Sequence, residues 1–200
     1  MKSLSAEPLF GQDLAEENAA LLAELDFLRL KIVELEQLAD TDTLTPLANR
    51  RAFLRAVDRA IRLADRHQTQ TALAFLDVDG LKAINDAYGH IAGDAVLMRI
   101  SDRLGIAFRV TDLAARVSGD EFAILLDHVS EADARHRIGG LINAIAIEPL
   151  RIGQHDLFIR LSWGLTMIRA DDTVDVAMGR ADAAMYSARS AERCAQRSER

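Results

Sequence analysis

The sequence predicts an α/β sandwich built on a mixed sheet, preceded by an N-terminal coiled-coil helix. Three observations predict it. An apolar heptad repeat occupies residues 14–39 and then stops. Beyond it, short β-prone runs alternate with amphipathic stretches of helical period. Near the middle, the apolar runs 113–117 and 121–126 follow each other so closely that only an antiparallel hairpin can join them.

The repeat is a seam of alternating four- and three-residue steps. Leu14, Leu21, Leu28 and Leu35 take the d positions, and Asn18, Leu25, Ile32 and Ala39 the a positions. Glu24 and Lys31 at g face Arg29 and Glu36 at e of a partner helix. Asn18 at an a position favours a parallel, in-register pair at some loss of stability. The other way to cover such a stripe is to pack it on the chain's own domain.

A polar break from Asp40 to Pro46 carries helix-capping residues. Residues 49–67 then read as a helix with Phe53, Val57, Ala60, Ile61 and Ala64 on one face. Residues 71–76 form a buried strand that ends in the turn Asp77-Val78-Asp79-Gly80. A short helix over 81–87 leads into the glycine-bearing segment 88–94, treated as a loop, and a helix over 95–108 follows. After the hairpin come a helix at 130–146, two strands within 151–169 about Gly153, the second over 157–168, and a closing helix at 174–193. The domain plan is a flexible 1–12, a dimerisation helix 13–40, a globular domain 41–194 and a polar tail 195–200.

Composition narrows the function. With 24 basic and 31 acidic residues the chain carries a formal charge of −7, which argues against a primary nucleic-acid binder. Its single cysteine, Cys194, permits no internal disulfide and no CxxC metal site. No apolar stretch approaches membrane-spanning length, and residues 1–10 lack a signal-peptide pattern, so the expectation is a soluble, cytoplasmic protein with no membrane partner. There is no P-loop and no HExxH zinc spacing.

Carboxylates stand at two strand ends: Asp77 and Asp79 where the buried strand turns, Asp120 and Glu121 at the hairpin tip. A rigid sheet that brought these loops together would present ligands for a hard divalent cation carrying a phosphorylated substrate. The same residues also serve commonly as turn formers and helix caps, and that reading stays open from spacing alone.

Three motifs in order carry a resemblance. They are Asp42, Leu44, Thr45, Leu47, Asn49, Arg50 and Arg51; then Asp77-Val78-Asp79, Leu81-Lys82, Ile84-Asn85-Asp86, Tyr88-Gly89-His90 and Gly93-Asp94; then Arg116-Val117-Ser118-Gly119-Asp120-Glu121-Phe122. From about Asp42 to Arg193 the chain resembles the GGDEF family of diguanylate cyclases, with SGDEF in place of the signature. The resemblance implies a mixed-sheet palm of the adenylate-cyclase type. It implies a reaction joining two GTP into cyclic di-GMP with loss of two pyrophosphates. It also implies that Asp77, the Val78 carbonyl, Asp120 and Glu121 hold Mg²⁺ (or Mn²⁺), with Glu121 either a ligand or a support for the base. Lys82, Arg189 and Arg193 would meet phosphates, Asn85 and Asp94 would read guanine, and Ser118 and Gly119 would line the substrate. Each such domain binds one GTP, so a homodimer is required, and the heptad helix would supply it.

Arg109 and Asp112 match the RxxD of the family's inhibitory product site, with Arg116 near enough in sequence to help; a plain surface ion pair is the other reading. The chain departs from the family where Ser118 replaces the first signature glycine. If that position needs a positive φ, serine costs on the order of 1 kcal/mol. If phosphate must approach the backbone there, the Cβ weakens GTP binding instead. Leu81, Pro46, Ala48, Arg189, Glu192 and Cys194 are further departures, Arg189 standing for lysine. Ser118 motivates the alternative of a degenerate module that binds GTP or cyclic di-GMP without turnover.

Overall fold

Alternation along the central strand organises the globular unit. The computed structural model describes the backbone of residues 9–67 and 69–198, with side chains over 16–32, 35, 40–66 and 69–190. Strand β2 (Ala72–Val78) follows β1 (Ala48–Asn49) and α2 (Arg50–His67) and is buried at every position. Ala72, Ala74, Leu76 and Val78 enter one core, and Leu73 and Phe75 the other. A strand apolar on both faces needs cover on both.

That cover comes from two helix layers. One core holds α4 (His90–Ala107) through Val96, Leu97, Ile100 and Leu104, and α5 (Glu131–Ile147) through Ala134, Ile138, Ile142 and Ile145. The other holds α2 through Phe53, Val57 and Ile61, and the last helix, Val174–Ser198, through Ala177, Ala181 and Met185. Between them lies a five-stranded sheet in the order β1, β3 (Leu113–Arg116), β4 (Glu121–Leu126), β2, β7 (Leu161–Met167). Only the β1–β3 pair is parallel, so the sheet is mixed, as the hairpin and crossovers require. The short helix α3 (Leu81–Tyr88) links β2 to α4, and β5 (Leu150–Ile152) and β6 (His155–Leu157) make a separate hairpin. The closing helix is α6.

The differences from the sequence expectation have local causes. Residues 90–94 are helical, since the change of direction is made by Gly89 alone, at φ 83°. The expected strand 157–168 is two pieces: the β6 turn ends it early, and only residues 161–167 join the main sheet. The two-residue β1 carries too little pattern to be read. Helix α6 runs to Ser198, into the segment expected as a polar tail, because its Ala- and Arg-rich sequence favours helix without needing burial.

The chain divides after Asp40 into two compact units. The first is helix α1 (Leu9–Asp40), which begins inside the stretch expected to be flexible. At 1.5 Å per residue its 32 residues span about 48 Å. Leu21, Leu25, Leu28, Ile32 and Leu35 of the seam are 48–61% exposed. Arg29 pairs within the helix to Asp26 at 3.3 Å. The side chains of Leu14 and Ala39 lie outside the described residues.

Helix α6 is seated on β7 at one point. A Cβ on Gly164 would lie 2.0 Å from the backbone nitrogen of Met185, so only glycine lets the helix lie this close. Gly164→Ala is expected to lower stability by about 1–3 kcal/mol through overpacking, read as an earlier urea midpoint; an unchanged midpoint would mean α6 has slack over the strand.

Candidate functional site

The site is set by register. In the β2–β4 ladder Asp77 lies directly across from Glu121, and in the β2–β7 ladder it lies across from Ser162. By the two-residue period these three side chains share the face covered by α2 and α6. The backbone amide of Val78 donates to the Asp120 carbonyl at 3.1 Å, which ties the hairpin tip to the end of β2. Asp77, Val78, Asp120 and Glu121, separated by more than forty residues in sequence, therefore stand together.

The turn after β2 has a defined shape. Gly80 takes φ 75° ahead of α3, where a side chain would be strained. The Asp79 amide donates to the Arg160 carbonyl at 3.0 Å, and the Ser162 hydroxyl bonds both Asp79 carboxylate oxygens, at 2.9 and 3.0 Å. Sequence reading missed Ser162. Its signal was a hydroxyl near the start of a mostly apolar strand.

Arg189 reaches this cluster from α6, one turn past Met185. Its Nη1 lies 2.7 Å from Asp77 Oδ1 and its Nε 3.3 Å from Asp79 Oδ1. Despite the short distance, Asp77 Oδ1 and Arg189 Nε are both buried without a hydrogen bond, so the pairing is coulombic and poorly aimed. Burial pushes the Asp77 carboxyl above its ordinary value, Arg189 pulls it back, and Asp120, Asp79 and Glu121 push it up again. A buried carboxylate oxygen with no donor, crowded by three more carboxylates, is a set of groups that a divalent cation satisfies. Among the described residues no three His, Cys, Asp or Glu side chains converge tightly enough to enclose an ion. The guanidinium of Arg189 stands beside Asp77 and Asp79 instead.

The signature turn is held from outside. Arg116 donates to the Gly119 carbonyl from Nη2 at 2.7 Å and from Nε at 3.2 Å, and to Asp42 Oδ1 from Nη1 at 3.1 Å. Asp42 also accepts from the Thr45 amide and hydroxyl, both at 2.9 Å. Burial alone would raise the Asp42 carboxyl; Thr45 and Arg116 together hold it below its ordinary value. Neither Ser118 nor Gly119 has a positive φ, and a Cβ on Gly119 would meet nothing within 4 Å. The strain considered for Ser118 is therefore absent.

On the substrate side, Lys82 is exposed in the first turn of α3 and Asp94 is exposed in the first turns of α4. Asn85 is half-buried, with its Oδ1 lacking a partner. A Cβ on Gly93 would fall 1.9 Å from that oxygen, so Gly93 makes the space in which the Asn85 amide lies. Arg193 is within α6, but its side chain lies outside the described residues.

The RxxD residues do not form an open pair. The Asp112 side chain is 1% exposed, accepting from Arg137 at 2.6 Å and from the amides of Arg109 at 3.1 Å and Asp127 at 3.2 Å. The Arg109 residue is exposed beside it. Arg116 stands at the opposite end of β3, engaged with Asp42 and Gly119, so the help expected from it is not available: its guanidinium is committed to the signature turn.

Comparison with known proteins places the whole chain. Residues 39–195 match the family described as diguanylate cyclase, GGDEF domain. The chain is 36% identical over 190 residues to the diguanylate cyclase TpbB of Pseudomonas aeruginosa, covering 92% of this chain and 44% of that protein. It is 40% identical over 157 residues to the bifunctional diguanylate cyclase/cyclic di-GMP phosphodiesterase MucR of the same species, covering 78% of this chain and 23% of that one. The chain thus spans less than half the length of these relatives. Among solved structures, the diguanylate cyclase SiaD of P. aeruginosa, in complex with its activator SiaC, superposes with a TM-score of 0.80 at 30% identity, over 92% of this chain and 71% of that one. The coiled coil and GGDEF domain of DgcB from Caulobacter crescentus, in complex with c-di-GMP, gives 0.78 at 29% identity, over 89% and 95%. On sequence and fold, the chain belongs to the GGDEF-domain family.

Proposed function

We propose that this chain is a diguanylate cyclase, joining two GTP into cyclic di-GMP and two pyrophosphates at the interface of a homodimer. The observation that carries the proposal is the cross-strand pairing of Asp77 with Glu121, with Asp120 bonded in beside them. Asp77, the Val78 carbonyl, Asp120 and Glu121 are the groups to hold a divalent cation, Mg²⁺ or Mn²⁺. When bound, that cation supplies polarisation of the α-phosphate and neutralises charge built up in the displacement.

The chain's own residues do the rest. Lys82 meets the β- and γ-phosphates as a point charge, joined by Arg189 and Arg193. Asp94 accepts from the N1–H and exocyclic amine of guanine, and the Asn85 amide completes the reading; adenine offers no such donor pair. Ser118 and Gly119 present unstrained backbone to the substrate, which removes a main physical reason for reading the domain as a binding module without turnover. The second GTP brings the attacking 3′-hydroxyl from the facing protomer. The exposed seam of α1, with Asn18 at an a position, supports a parallel coiled coil that holds two domains at high effective concentration.

Product feedback through Arg109 and Asp112 fits the structure in a modified form. Arg109 is the exposed arm available to a guanine or phosphate, and Asp112 is the anchor that shapes the loop presenting it.

Three outcomes are expected. With GTP and Mg²⁺ the purified protein yields cyclic di-GMP by mass detection and Asp120→Ala yields none; tight GTP binding without product would favour the receptor reading. Leu28→Asp lowers both activity and the dimer mass in sedimentation; if neither moves, the seam has no part in catalysis. Arg109→Ala relieves inhibition by added product, and a wild-type progress curve insensitive to product would remove that site.

A further inference from the structure

We propose that Arg189 is the built-in counter-ion of the carboxylate cluster, and that it competes with the divalent cation for Asp77 until nucleotide phosphates draw it away. The inference rests on the cation site proposed above and deepens it. Its consequence is that metal and nucleotide bind cooperatively: each is weak alone because the guanidinium must first leave.

Three features of the site lead there. Four carboxylates, Asp77, Asp79, Asp120 and Glu121, gather at these strand ends, and Arg189 is the guanidinium placed among them. Leaving the buried Asp77 carboxylate without a nearby positive charge is costly, so in the absence of another cation the arginine is held. Its two contacts are also unequal. Asp79 is fixed by the Ser162 hydroxyl on both oxygens and by the Arg160 carbonyl at its amide, while Arg189 Nε, 3.3 Å from it, makes no hydrogen bond. The Asp77 contact is short but lacks hydrogen-bond geometry, and Asp77 Oδ1 keeps an unmet demand. An arm held at both carboxylates by charge, without hydrogen-bond geometry at either, can give up Asp77 to a better-placed cation.

Residue type and position agree with this role. A guanidinium fork spans two carboxylates that a single ammonium could not bridge in the same way. The same fork suits phosphate oxygens, so a triphosphate arriving with its cation offers Arg189 replacement partners at the moment Asp77 is needed elsewhere. Gly164 seats α6 close enough for the side chain to reach. Because coupling between two ligands is reciprocal, an arginine that opposes metal without nucleotide makes each ligand raise the affinity for the other.

The test is a Mn²⁺ titration of the full chain without nucleotide, reading free Mn²⁺ by electron paramagnetic resonance. Arg189→Gln is expected to bind Mn²⁺ roughly tenfold more tightly than the wild type, within the usual range of such couplings. Its melting temperature should also rise more steeply with Mn²⁺. Adding Asp77→Asn to that variant should abolish the gain. Equal or weaker Mn²⁺ binding by Arg189→Gln overturns the proposal, as does a gain that survives Asp77→Asn. If Arg189→Gln does not fold, Arg189→Lys is titrated instead. A smaller tightening is expected from its unforked charge, and no tightening overturns the inference. Turnover is not read here. A chain that makes no cyclic di-GMP yet shows the gain loses only the cyclase reading, and one that turns over GTP with Mn²⁺ affinity unaltered in Arg189→Gln loses only this inference.

Discussion

The antiparallel pairing of β2 with both β4 and β7 is the constraint on which the site depends. It sets Asp77 opposite Glu121 on one side and Ser162 on the other. A slip of one residue in either ladder would turn those side chains to the opposite face, away from α6. Register is protected because both faces of β2 are buried, so a slip would exchange Leu73 and Phe75 with Ala74 and Leu76 across two differently shaped cores. The apolar packing therefore holds the acidic residues in place, although none of it touches them chemically.

Charge is handled by the same architecture. Burial at the strand end raises the cost of ionising Asp77, and the neighbouring Asp120, Asp79 and Glu121 add to it, which appears as its elevated carboxyl. Arg189 offsets part of that cost from above, and Ser162 satisfies Asp79 from the neighbouring strand. At the hairpin tip Arg116 links the Gly119 carbonyl to Asp42, the second residue of the globular unit. The acidic turn is thus buttressed on both sides by arginines with different duties. Arg116 is committed through hydrogen bonds of good length, whereas Arg189 is held by charge with little directional bonding.

Much of the site was legible from residue type and spacing. Asp77 and Asp120 fell at strand ends because apolar runs stop there, and the three-residue gap at 118–120 permitted only a hairpin. Less legible were features that depend on approach between distant elements. Gly93 and Gly164 look like ordinary glycines until the Asn85 amide and the α6 backbone are placed against them. Ser118 reads as a departure that carries strain if φ must be positive, but the turn it occupies has no positive φ there. Asp112 looked like half of a surface motif, yet it is the buried acceptor for Arg137 and two amides.

What the sequence determined by itself was local and periodic: the heptad seam of α1, the all-apolar β2, the hairpin, and which carboxylates end which strands. Those follow from hydrophobic period and turn chemistry, which act over a few residues. What only the tertiary structure decided was which groups meet. Arg189 lies more than a hundred residues from Asp77, and Ser162 more than eighty from Asp79. No spacing rule relates them, because their contact is set by the packing of α6 on β7 and by a ladder register that exists only once the sheet has formed.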